Sequence, residues 1–345
     1  MEAAGDLAGS VDRLRQACAR FPHEEAVHAA YARGLGRTGE VDAALTQARR
    51  WPNSPWAAKL GLKLLIRQGR FDEAAAFEAA VAAADPADPN LLDLRAMRAR
   101  QDPDALLRLS DQALAHEIGA THALYLKAVA LAQLGRGEAA AALMGIEDYM
   151  RVVPLHPPAG FADMSAFLGA VRGEILGNPT LHPDPAGHAT SKGLRTRSFP
   201  LGGDVAATAL AGAMRDAIAA YADELSGDHP FVRARPDRAT FTPWALVFRT
   251  LGRQLLHHHP EAWLTGVFYV SAPEGPTAPG ALRIGGLPAW AGVKPPWPVP
   301  DVAPTPGTLV MFPSFVPHET VPTGSEEERI SVAFDVRCLP SGPAG

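Results

Sequence analysis

The sequence predicts an α+β multidomain protein, with an α-helical repeat region over residues 1–150 and a β sandwich or barrel with flanking helices over residues 151–345. Three observations predict it. At 345 residues the chain exceeds what one ordinary core organises. Its first 150 residues are rich in Ala, Leu and Arg and nearly free of β-branched runs, which is helix composition. Beyond residue 151 short apolar runs alternate with Gly/Pro turns, which is strand composition.

In the helical region, turns recur at RTGE (37–40), RQGR (67–70), RQDPD (100–104) and LGRGE (134–138), and the markers Gly39, Gly69, Asp102 and Gly135 are spaced by 30, 33 and 33 residues. Small-residue helices such as HAAYARGLG and ALYLKAVALAQLG precede turns, and VDAALTQARRWP, FDEAAAFEAAVA and GEAAAALMGIED follow them. Two helices per period near 34 is similar to the tetratricopeptide repeat, in degenerate form. Such units bury their apolar faces only by stacking, so a short solenoid is expected. Its concave surface reads as a peptide or protein docking groove, or equally as a plain scaffold or dimerisation arm.

From residue 151 the elements follow in order. MRVVPLHPPAGF is a Pro-rich connection, and residues 163–177 and 204–225 carry apolar positions at helical spacing. The intervening 178–203 is loop-rich. Strands are expected at FTPWALVFRTL, WLTGVFYVSAP, GALRIGG, GTLVMFPS and RISVAFDVRC. Residues 287–307 form a stiff Pro-rich loop whose Trp290 and Trp297 serve as a lid or as an anchor.

Composition excludes several functions. With 47% hydrophobic and 20% charged residues and a net charge of −5, the chain lacks the basic face that nucleic acid needs. Its start has no basic and apolar leader pattern, and no apolar run approaches the roughly 18 residues of a membrane span. The two cysteines, Cys18 and Cys338, lie near opposite ends of the sequence, so no disulfide framework is expected. A cytoplasmic setting is the expectation, and oligomeric state stays open.

The chemistry concentrates in LLHHHPEAWLTGVFYV. On a strand, His257 and His259 would share one face, with His258 on the other. His318 follows 59 residues after His259, and Arg329 opens RISVAFDV eleven residues later. Imidazoles on one face suit a non-haem iron centre with open positions, and an arginine on a neighbouring strand offers a fork for a carboxylate.

These blocks resemble a bacterial 2-oxoglutarate/Fe(II)-dependent oxygenase family of the double-stranded β-helix superfamily, a jelly-roll or cupin-like barrel. HHHPEAWLTGVFYV is similar to the family's HxHPxxWLSGVYYV, GTLVMFPSFVPHETVP to FPSxxxHxTxP, and ERISVAFDV to RxxxAFDV. NPTLHPDPAGHATSKGLRT is similar to the segment before its second helix. The resemblance implies that His257, His259 and His318 contact Fe(II), that Arg329 binds the far carboxylate of 2-oxoglutarate with help from Ser331, and that O2 is consumed. It implies hydroxylation of a C–H bond, with the helical repeats pointing to a peptide or protein substrate; a small-molecule substrate is also admitted. The wider superfamily places Asp or Glu where His259 stands. The third ligand is therefore His259 or a carboxylate, with Glu261, Glu319 and Asp301 nearest in sequence.

Trp244 and Arg249, on the strand before the histidines, are candidates to line the co-substrate or substrate pocket. Trp263, Phe268 and Tyr269 are expected in the core, and His182 and His188 in solvent. Two alternatives stand beside the oxygenase: a non-catalytic repeat scaffold whose barrel retains a metal as a binding module, and a three-histidine dioxygenase independent of 2-oxoglutarate.

Overall fold

A computed structural model of the chain describes residues 7–116, 120–183, 189–273 and 279–339. They divide into two compact units, the first running to Leu126 and the second beginning at Lys127. Expectations for His188 fall outside the described residues.

The first unit is helical: Leu7–Arg20, Glu25–Thr38, Val41–Arg49, Pro55–Arg67, a 3-10 turn Phe71–Ala74 running into Ala75–Ala84, then Pro89–Ala99, Pro103–Ala115 and the start of Ala120–Gln133. Proline opens three of these helices at a first-turn position whose N–H has no helical partner. Asp88 and Asp102 accept from the backbone N–H groups of Asn90 and Ala105, capping two of them. Gly39, at φ 88°, ends Glu25–Thr38 in the left-handed conformation and donates to the Leu35 carbonyl. Helices that follow one another in sequence pack together around Leu35, Leu45, Leu62, Leu65 and Leu94. The abundant small residues permit that approach: a Cβ on Gly61 would lie 2.5 Å from the Phe77 ring.

In the second unit, helices Met164–Leu176 and Val205–Glu224 match the two expected segments. Asp163 caps the former by accepting from Ala166 N–H, and Phe167, Val171 and Ile175 form its buried stripe at four-residue spacing. The strands are β1 (Arg151–Pro154), β2 (Leu181–Pro183), β3 (Thr190–Thr196), β4 (Ala239–Gln254), β5 (Leu264–Ser271), β6 (Leu282–Ile284), β7 (Asp301–Val302), β8 (Thr308–Pro313), β9 (His318–Thr320) and β10 (Arg329–Cys338). Seven make one antiparallel sheet in the order β1-β8-β5-β10-β4-β3-β2, and three make a second in the order β7-β6-β9.

Central β10 is buried on both faces for most of its length. Its register sets Ser331 beside Tyr269 and Leu246, Ala333 beside Val267 and Trp244, and Asp335 beside Thr265 and Thr242. Odd-numbered residues of β10 and β5 therefore share a face with even-numbered residues of β4.

The histidines do not lie on a strand, contrary to expectation. They occupy an irregular segment between β4 and β5, where Pro260 has no N–H to offer a ladder. His257 joins the second sheet through one bridge, with its N–H donating to the His318 carbonyl at 3.0 Å and His318 N–H donating back at 2.8 Å. His259 N–H donates to the Ser314 carbonyl at 2.9 Å. Convergence thus arises from pairing with the residues around His318.

Trp263 and Phe268 lie in the core as expected. Trp263 donates to the Phe231 carbonyl and stacks on that ring at 5.0 Å. Trp297 is buried and donates to the Gly285 carbonyl, an anchoring role. His182 is half-buried on β2 with Nε2 enclosed, not solvated. Cys18 and Cys338 are both free. Among the described residues no helix is long and apolar enough to cross a membrane.

Gly266 is the tightest point of the main sheet, where a Cβ would lie 2.1 Å from the Val310 carbonyl oxygen. Gly266→Ala is expected to lower stability by about 1–3 kcal/mol through overpacking, read from the midpoint of chemical denaturation.

Candidate metal centre

His257, His259 and His318 come together: one ring nitrogen from each lies within 4.8 Å of the others. Ring centroids are 5.0 Å apart for His257 and His259, 4.3 Å for His257 and His318, and 5.1 Å for His259 and His318. His258 is not part of the cluster.

Each of the three has its Nδ1 occupied by an acceptor. His257 Nδ1 donates to the Leu255 carbonyl at 2.7 Å, His318 Nδ1 to the Val316 carbonyl at 3.1 Å, and His259 Nδ1 to Asp335 Oδ1 at 2.5 Å. Those acceptors hold the proton on Nδ1 and leave the Nε2 lone pairs for a metal. Burial, and then the neighbouring His259, pull the His257 pKa down to about 4. Burial, then His257 and His259, hold His318 well below the ordinary imidazole value. Both rings are therefore neutral donors at pH 7, as coordination requires. The donor set fits a borderline divalent ion such as Fe(II).

The three carboxylates nearest in sequence are not in this cluster. Glu261 pairs with Arg337 at 3.0 Å, while Asp301 grips Arg283 through two 2.8 Å contacts and Glu319 lies 3.8 Å from the same guanidinium. The carboxylate that does approach is Asp335, behind His259.

From the histidines a cavity runs between the sheets, lined by Trp244, Leu246, Val267, Ala333, Ser331 and Arg329 among others. Arg329 is 2% exposed, and among the described residues no carboxylate pairs with it. Its Nη1 reaches Ser331 Oγ at 3.4 Å, and its Nε has no partner. The guanidinium lies 5.2 Å from the Tyr269 ring centroid and 5.6 Å from that of Phe248. Burial pushes its pKa down from the ordinary value, with Tyr269 opposing. An unpaired buried cation is costly, and an anion at this end of the cavity would relieve that cost. Gly280, at φ 78°, admits the arginine stem: a Cβ there would lie 2.6 Å from Arg329 Cδ.

Of the two β4 candidates, Trp244 lines the cavity, stacking on His259 at 6.0 Å with its buried Nε1 lacking a partner. Arg249 does not. It is 61% exposed and pairs with Glu328, because an odd-numbered residue of β4 faces away from the cavity.

Sequence reasoning missed Tyr269 and Asp335. Tyr269 was expected in the core and is fully buried, but its hydroxyl is unpartnered near Arg329. Asp335 was legible as the third step of the alternation that begins Arg329, Ser331, Ala333.

An unfolded chain protonates histidine below about 6.5, while His257 and His318 resist protonation in the fold. The unfolded state then binds more protons between the two pKa values, so stability falls as pH drops from 7 towards 4. The metal-free protein is expected to melt at a lower temperature at pH 5 than at pH 7. Replacing both histidines with Gln should shrink that difference; an unchanged difference would contradict the assignment.

Residues 242–335 match the family model described as "Putative 2OG-Fe(II) oxygenase". No curated protein matches the sequence. Among solved structures, the chain is similar to a prolyl-4-hydroxylase from Pseudomonas putida, with 19% identity over 56% of this chain and 96% of that one and a TM-score of 0.42. It is similar to a prolyl hydroxylase from Trichoplax adhaerens, solved with a hypoxia inducible factor peptide fragment, at 12% identity over 59% and 92% with a TM-score of 0.40. An oxidoreductase of the 2OG-Fe(II) oxygenase family from Burkholderia pseudomallei matches at 15% identity over 58% and 91%, TM-score 0.38. The matched segment contains the histidine cluster, Arg329 and Asp335, and is similar to the 2OG-Fe(II) oxygenases, for which Fe(II) and 2-oxoglutarate are the typical cofactors.

Proposed function

We propose that the chain is a 2-oxoglutarate- and Fe(II)-dependent hydroxylase acting on a C–H bond of a peptide or protein. Residues 1–150 form a tetratricopeptide-like docking domain, and residues 151–345 an oxygenase domain whose two sheets are those of a double-stranded β-helix. The observation that carries the reading is Arg329, a buried guanidinium with no carboxylate partner among the described residues, in one cavity with His259 and His318.

His257, His259 and His318 hold the metal through Nε2. Arg329, assisted by Ser331 Oγ and the Tyr269 hydroxyl, binds the far carboxylate of 2-oxoglutarate through charge-assisted hydrogen bonds. Ala333 is the floor between these ends: its methyl leaves room for the co-substrate chain, while Val267 and Trp244 flank it across the register. Leu246, Val267 and Leu282 line the cavity with apolar surface and exclude water. When bound, iron and 2-oxoglutarate supply the oxidation, one oxygen atom of O2 entering succinate as CO2 is released and the other entering the substrate C–H bond. Phe312 packs edge-on against His318 at 4.9 Å and keeps that ring in place. The recurring helix pairs support the docking assignment, because stacked helical repeats present extended binding surfaces.

Fe(II)-dependent conversion of 2-oxoglutarate to succinate is the expected activity, and His318→Ala should abolish it. Arg329→Ala removes charge-assisted bonds of about 1.5–3 kcal/mol and should raise the KM for 2-oxoglutarate by about 10–100-fold. A 2-oxoglutarate-independent dioxygenase would instead leave Arg329→Ala without a co-substrate phenotype. Ala333→Leu fills the floor and should block co-substrate binding while iron still binds, as read by separate titrations with the metal and with 2-oxoglutarate.

A further inference from the structure

Three imidazoles bring no negative charge to a divalent ion, yet a carboxylate stands directly behind one of them. Asp335 is 2% exposed. Its Oδ1 accepts from His259 Nδ1 at 2.5 Å and lies 3.2 Å from Thr265 Oγ1, which also donates to the Phe334 carbonyl at 2.9 Å. Its Oδ2 accepts from Arg337 Nη2 at 2.9 Å. Arg337 is in turn held by Glu261 at 3.0 Å. With Oδ1 committed to His259 and Oδ2 to Arg337, the carboxylate is fixed in one orientation. It is fixed from the same strand face that carries Arg329, six residues away, or roughly 20 Å at strand rise.

We propose that Asp335 is the positioning residue of the centre. It fixes the tautomer and ring plane of His259, and through that hydrogen bond it supplies the negative charge that a carboxylate ligand would otherwise bring. Its effect is large because Asp335 is buried and the His259 side chain is only 14% exposed, so that a charge one imidazole away from the ion is weakly screened. Arg337 sets the direction of the interaction. An amide at position 335 would turn its oxygen towards Arg337 and its NH2 towards His259 Nδ1. That arrangement favours the proton on Nε2, the nitrogen the metal needs. The inference rests on His259 being a ligand, as proposed above.

The test compares wild type, Asp335→Asn and His318→Ala by anaerobic Fe(II) titration, by visible spectra of the Co(II)-loaded proteins, and by melting of the metal-free proteins. Asp335→Asn is expected to weaken Fe(II) binding by about 10–100-fold and to alter the Co(II) spectrum. The metal-free protein should remain folded, and KM for 2-oxoglutarate should hold at saturating metal. Wild-type Fe(II) affinity and an unchanged Co(II) spectrum in Asp335→Asn overturn the proposal. If His318→Ala abolishes metal binding in the same series, the oxygenase reading survives that outcome; if neither variant changes metal binding, that reading fails as well. Should Asp335→Asn not fold, Arg337→Gln at the more exposed end of the network carries the test, with a several-fold loss of affinity expected and no loss overturning the role.

Discussion

The registered pairing of β10 between β4 and β5 is the constraint on which the candidate site depends. Ten consecutive cross-strand partners tie β10 to β4, and the pairing with β5 fixes the other edge. Because side chains alternate, a slip of one residue would turn Arg329, Ser331, Ala333 and Asp335 out of the cavity and turn Ile330, Val332 and Phe334 in. The alternative is strongly disfavoured, since both faces of the strand are buried and each has its own chemistry. One strand thereby holds a buried guanidinium at one end and the carboxylate behind a histidine at the other, with alanine between them.

The second requirement is that the histidines meet this strand correctly. His318 opens β9, while His257 and His259 come from an irregular segment, where ladder geometry does not orient them. Backbone exchange between His257 and His318, the Ser314 carbonyl beneath His259, and three Nδ1 acceptors do so instead. Burial keeps His257 and His318 neutral, which favours coordination and penalises protonation. The same burial makes the unpaired Arg329 costly without an anion. In both places the fold sustains an arrangement that a ligand would relieve, a common property of functional sites.

Much of this was legible in the residues. The helix-to-strand change in composition, the two helices at 163–177 and 204–225, and the pairing of His318 with Arg329 on successive apolar segments follow from periodicity and turn chemistry. Strand alternation singled out His257 and His259, which the structure does bring together with His318, by a route the structure does not use, because Pro260 and the bridge to His318 replace regular strand geometry. Arg249 failed for a related reason: proximity in sequence to Trp244 does not carry across the pleat. Tyr269 was hidden because a fully buried tyrosine in an apolar run looks like any core aromatic until its hydroxyl is found unpartnered. Asp335 follows from the alternation that begins at Arg329 and not from closeness to the histidines in sequence, since it reaches His259 through strand pairing from 76 residues away.

As proposed, three imidazole nitrogens would hold the metal and one buried guanidinium would hold the far carboxylate of the co-substrate. The most direct measurement is an anaerobic crystal structure of the protein with Mn(II) and 2-oxoglutarate, locating the metal by anomalous scattering. The account predicts a metal bonded to Nε2 of His257, His259 and His318, with the co-substrate extending over Ala333 to Arg329. A metal bonded by a carboxylate in place of His259, or a co-substrate that does not reach Arg329, would contradict it.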